Sequence, residues 1–139
     1  MEDSAVYEPL IVKESHLLYA ELTGQIMSAA VEVHRELGPG LLESAYHACM
    51  CRELSLRRMA FQTELDFPVD YKGLRLDCGY RIDLLVDGKV AVELKSVEKL
   101  LSIHQAQLLT YLRLSGVRVG LLINFNVRVL RQGIIRRIL

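Results

Sequence analysis

Two short stretches place reactive side chains at chemically suggestive spacings. In VAVELK, Glu93 and Lys95 stand two apart among Val90, Val92 and Leu94, and in YRIDLLV a lone Asp83 sits inside an apolar run. Downstream, His104, Gln107 and Tyr111 recur at i, i+3 and i+7, one polar stripe beside Leu108, Leu109 and Leu112. Upstream, GLLESAY sets Gly40, Glu43 and Tyr46 three apart. Paired carboxylates beside an amine suit a hard divalent cation acting on phosphate, such as Mg²⁺ or Mn²⁺, which prefers oxygen ligands. Each piece also has an ordinary explanation. E-x-K can be a solvated strand face, Tyr111 can be half-buried packing, and Glu43 can complement a helix dipole.

The pairing of the two strands decides whether the carboxylates meet. Alternation puts Ile82, Leu84 and Val86 on one face, and Val90, Val92 and Leu94 on one face of the next strand. Both sets reach a common core only if even residues oppose even residues. A two-residue turn at Asp87-Gly88 would break that rule. A three-residue loop, Asp87 to Lys89, pairs Val86 with Val90 and sets Asp83 opposite Glu93. Like charges so placed repel, and a cation between them relieves the repulsion.

Around these residues the pattern predicts a helix from about Leu17 to Leu37, broken by Gly38-Pro39-Gly40, and a second from about Leu41 to Met59. The inner side of the second is expected to carry Leu42, Ala45, Tyr46, Cys49 and Leu56. FQTELDFPVDYKG reads as an edge strand bent at Pro68. Lys72-Gly73 turns into Leu74–Cys78 and on to YRIDLLV. Ser102 is expected to cap a helix to about Ser115, followed by the apolar strand VRVGLLINF and a basic strand VRVLRQGIIRRIL. Helices, a strand meander, a helix and more strands make an α/β (α+β) sandwich with a mixed central sheet.

Bulk composition bounds the partners. The 139 residues suit one domain, expected over 17–139 behind an acidic lead-in at 1–16. The 17 basic and 17 acidic residues cancel, so the chain lacks the strong field of a non-specific nucleic-acid binder. The cancellation is uneven, because residues 1–70 net −7 and residues 71–139 net +7. Cys49, Cys51 and Cys78 form no CxxC pair and read as reduced thiols. The acidic start MEDSAVYEPL and the lack of a spanning apolar run lead to the expectation of a cytoplasmic chain, away from membranes.

Taken together, the motifs resemble a known family. Gly40, Glu43 and Tyr46 match the signature of the bacterial GxxExxY proteins, a compact branch of the PD-(D/E)XK nuclease superfamily. Asp83 and Glu93-Leu94-Lys95 match its Asp…(D/E)-x-K pattern, with Ile82 where a proline often precedes the Asp. Gln107 and Tyr111 match the Q-x-x-x-Y of its RecB-like branch, and the likeness extends from about Ile26 to Leu139. The resemblance implies a restriction-endonuclease-like core and Mg²⁺- or Mn²⁺-dependent hydrolysis of DNA, or of RNA. It implies metal ligation by Asp83, Glu93, the Leu94 main-chain carbonyl and Glu43, with Lys95 as the remaining catalytic residue. Gln107, Tyr111 and His104 would contact substrate. A non-catalytic binding module, or a subunit active only as a homodimer or with a protein partner, is the alternative.

Overall fold

A computed structural model describes residues 18–139, with residues 78 and 79 described in their backbone only. The acidic lead-in expected at 1–16 therefore lies outside the described residues, as does the side chain of Cys78.

Helix α1 (Ala20–Leu37) buries Ile26, Ala29, Ala30 and Val33, the spacing of one helical face, and ends at Gly38, whose φ of 68° suits glycine. Helix α2 (Glu43–Leu56) packs against α1 and buries Tyr46, Met50 and Leu54 at i, i+4 and i+8. That stripe differs from the expected one. Leu42 precedes the first helical turn and is 76% exposed, and Leu56 falls off the stripe and is 59% exposed.

Five strands follow in sheet order identical to chain order: β1 (Phe61–Tyr71), β2 (Leu74–Val86), β3 (Val90–Lys95), β4 (Val119–Asn124) and β5 (Ile134–Ile138). All neighbours are antiparallel except β3 and β4, which run parallel because α3 (Ser102–Ser115) carries the chain back between them. Strand β1 is the expected edge strand and its register shifts between Phe67 and Val69, at Pro68. The β1–β2 turn has positive φ at both Lys72 (48°) and Gly73 (87°), the mirror-image turn that matches strand twist. The β2–β3 loop is the expected three-residue one, with Val86 opposite Val90 and Leu84 opposite Val92. The basic C-terminal segment is not continuous strand. A 3₁₀ turn at Leu130–Gly133 precedes β5.

The main core lies between one sheet face and α1–α2, joining Leu84, Val86, Val90, Val92, Leu94, Leu121 and Ile123 to the helix stripes and Phe125. A smaller cluster beneath α3 holds Ile82, Ala91 and Leu112, with Phe67, Leu109 and Tyr111 against it. Gly120, paired with Ala91, lets Leu108 of α3 sit close, since a Cβ there would lie 2.8 Å from Leu108 Cδ1. The expected grouping of Ile82 with Leu84 and Val86 is thus corrected. Alternation fails at Asp83, where the β2–β3 ladder ends and where Glu64 of β1 has a φ of 53°. Cys49 and Cys51 are free thiols, partly buried against the main core. Among the described residues no helix is long and apolar enough to cross a membrane.

Candidate active site

Strands β2 and β3 exchange ordinary ladder bonds only as far as Leu84–Val92. Beyond that pair, side-chain carboxylates take the place of carbonyls. The Asp83 amide donates to Glu93 Oε1 at 3.1 Å, and the Leu94 amide donates to Asp83 Oδ2 at 2.8 Å. Each carboxylate is therefore locked by the backbone of the opposite strand. Glu93 is 6% exposed and Asp83 is half-buried.

The pair is electrostatically strained. Burial, then the charge of Asp83 and that of Glu43, push the Glu93 carboxyl up to about 8, against the Asp83 amide and the Lys95 ammonium. Burial likewise raises Asp83, with Glu43 adding to it, while the Leu94 amide, His47 and Lys95 pull the other way. Lys95 is itself half-buried at the end of β3, where its carbonyl accepts the Phe125 amide at 2.9 Å. The cationic help available is smaller than the desolvation it faces, and a shared proton or a dication resolves the deficit.

Glu43 arrives from α2 by a chain of local bonds. The Tyr46 hydroxyl donates to the Gly38 carbonyl at 2.5 Å and accepts the Leu41 amide at 3.2 Å, while its ring stacks on Phe125 at 4.4 Å. Ser96, just past Lys95, donates its hydroxyl to the Leu41 carbonyl at 2.5 Å and its amide to Glu43 Oε1 at 3.3 Å. Tyr46 is thus a buried clasp on the Gly-Pro-Gly corner, and the corner holds Glu43 against the end of β3. Gly40, with a φ of 100°, permits the corner's backbone path.

Glu43, Ser44, His47, Glu64, Asp83 and Leu94 line a cleft of about 340 Å³. His47, one turn after Glu43, donates from Nε2 to the Asp83 carbonyl at 3.2 Å. Its only sequence signal was that i+4 spacing. A second residue overlooked in the sequence is Asn124, 1% exposed at the end of β4. Its Oδ1 accepts the amides of Val97 (3.0 Å) and Asn126 (3.2 Å), and its Nδ2 donates to the Val97 carbonyl at 2.9 Å. It ties together the loops leaving the two parallel strands. A lone amide in the apolar run LLINF was the available clue.

The helix α3 residues divide. Tyr111 lies within the electrostatic reach of Glu93 and Asp83: burial first, then both their charges, raise its phenol, with the Arg81 main chain opposing them. Gln107 is exposed and, among the described residues, bonds neither carboxylate. His104 accepts the Leu101 amide through Nδ1 at 2.9 Å, closing the helix start in the manner expected of Ser102, and lines a separate crevice with Val97 and Lys99. Leu101, not Ser102, is the N-cap residue, and Ser102 already sits in the first turn.

Among the described residues no three His, Cys, Asp or Glu side chains form a preformed metal-binding cluster. One oxygen each of Glu43, Asp83 and Glu93 is spent on a main-chain amide, and the second oxygen of each is not used in these bonds. The donor set fits a hard dication in kind, being oxygen-only, carboxylate-rich and short of positive charge.

The family description "PD-(D/E)XK nuclease superfamily" matches residues 20–138. The chain belongs to the PD-(D/E)XK nuclease superfamily. Its mixed sheet with helices on both faces is the restriction-endonuclease-like core of that superfamily. Membership makes the chain a nuclease-superfamily protein, with nucleic acid as the substrate class, and PD-(D/E)XK nucleases generally use divalent metals such as Mg²⁺. No curated protein and no solved structure matches the chain.

Proposed function

We propose that residues 17–139 form a single Mg²⁺- or Mn²⁺-dependent nuclease domain of the GxxExxY branch, hydrolysing phosphodiester bonds of DNA. The observation that carries this is the reciprocal locking of Asp83 on β2 and Glu93 on β3, a half-buried and a buried carboxylate with too little neighbouring positive charge. The GxxExxY assignment is supported by the corner, in which Gly40, Glu43 and Tyr46 act as one mechanical unit.

Asp83, Glu93, the Leu94 main-chain carbonyl and Glu43 would hold the ion. When bound, it polarises the phosphoryl group and acidifies water. Lys95 positions the attacking water and offsets the negative charge that builds on phosphate; beside two carboxylates it is suited to donating hydrogen bonds more than to abstracting a proton. His47 steadies the backbone of Asp83, Tyr111 contacts the scissile phosphate or its neighbour, and Gln107 and His104 meet the substrate farther out along the same helix. The chain acts where its nucleic acid is, and the cytoplasm is the proposed compartment.

The test is a cleavage panel of labelled single- and double-stranded DNA and RNA with Mg²⁺ and with Mn²⁺. The parent protein is expected to cut at least one DNA substrate, and Glu93→Ala prepared in parallel is expected to cut none. Equal cutting by both proteins, or none by the parent on any substrate, would overturn the proposal.

A further inference from the structure

Strand β2 is far longer than β3, which covers only its last residues, so the hairpin carrying Tyr80 continues past the sheet alongside α3. There Tyr80 is 37% exposed, and its ring meets Tyr111 edge-to-face, with centroids 6.1 Å apart and planes at 71°. Tyr111 is in turn half-buried against the cluster beneath α3 and lies within the field of Glu93 and Asp83. Phe67, the cross-strand partner of Tyr80 and so on the same face of the hairpin, packs against the cluster beneath α3 and seats this stretch of the hairpin on the helix. An aromatic ring is thereby held, partly open to solvent, three residues along β2 from Asp83. That is about 10 Å of strand.

We propose that Tyr80, buttressed by Tyr111, is a stacking platform for an unpaired nucleobase, so that the strand cut at Asp83 and Glu93 is single-stranded around the scissile phosphate. The inference rests on the nuclease reading for its phosphate and adds the state of the substrate. A ring presents its π-face to any base without reading its identity, whereas the bases of a continuous duplex already cover each other's faces. The platform is pre-ordered by its edge-to-face contact with Tyr111, so little side-chain freedom is lost on binding. Sequence tolerance agrees with a small domain that has no separate reading element.

The experiment measures binding by fluorescence anisotropy, with Ca²⁺ as the ion, to a labelled single-stranded oligodeoxynucleotide and to the same strand annealed to its complement. Parent, Tyr80→Phe, Tyr80→Ala and Tyr80→Leu proteins are compared. Tyr80→Leu keeps apolar packing against Tyr111 and loses the aromatic face, so it reports even if the alanine variant folds poorly. Stacking predicts that Ala and Leu weaken single-strand binding roughly 5- to 150-fold, that Phe binds like the parent, and that duplex binding is unchanged. The proposal is overturned if Leu binds the single strand like the parent, if both substrates weaken equally, or if the parent binds no single strand. Tyr80-dependent binding without cleavage would remove the nuclease reading alone, and cleavage indifferent to Tyr80 would remove this inference alone.

Discussion

Replacing Glu93 with Gln tests the electrostatics of the site without disturbing its shape, because the amide oxygen can still accept the Asp83 N–H. In the metal-free parent the Glu93 carboxyl titrates near 8, against 4.5 for an ordinary glutamate. Between those values the folded chain holds a proton that the unfolded chain has released, so stability is greatest at the acid end and falls as pH rises. The slope is about 1.4 kcal/mol per pH unit for one such proton, which belongs to the Glu93–Asp83 pair as a whole. From pH 6 to pH 8 the loss is about 2 kcal/mol, or roughly 5–8 °C in Tm for a domain of this size. Urea or thermal unfolding in EDTA at both pH values reads it. The parent should weaken over that interval relative to Glu93→Gln, the variant should overtake it at pH 8, and added Mn²⁺ should restore the parent alone. Parallel pH profiles for the two proteins would refute the reasoning, because then Glu93 would not be the strained group.

Lys95→Ala should fold and bind Mn²⁺ like the parent yet lose about 10²-fold or more in cleavage rate, read by gel assay against the parent under saturating metal. Tyr46→Phe strips the Gly38 carbonyl and Leu41 amide of their partner. Urea unfolding should show a cost of about 1–3 kcal/mol, and Mn²⁺ titration a weaker affinity as Glu43 loosens. Asn124→Ala leaves the Val97 and Asn126 groups without their buried partner. It should cost a similar amount in stability and lower kcat more than KM, since the segment from Lys95 to Val97 is what it steadies.

Those variants divide between what the sequence disclosed and what it concealed. The β2–β3 register was legible because two apolar alternations had to share one core, which only a three-residue loop allows. Parity cannot disclose where the ladder stops, so it groups Ile82 with Leu84. In the fold, carboxylates replace carbonyls at Asp83, and Ile82 packs beneath α3 instead. Helix α2 was located by its period, but the face it buries turns on where Tyr46 anchors, which excluded Leu42 and Leu56. Glu43 and Tyr46 are legible as neighbours on one side of a helix. Their division of labour, one facing the cleft and the other clasping the corner, depends on contacts with Gly38, Ser96 and Phe125 that lie far apart in the chain. His47 and Asn124 carried no motif, and each gained meaning only from a backbone group brought to it by the sheet.

Isothermal calorimetry of Mn²⁺ into parent and Asp83→Asn protein at pH 8 addresses the core of the account, that acidic groups from α2, β2 and β3 share one divalent ion. The parent should bind Mn²⁺ with proton release, as the metal displaces the proton held by the carboxylate pair, and Asp83→Asn should bind far more weakly. Equal heats from the two proteins, or none from the parent, would contradict it.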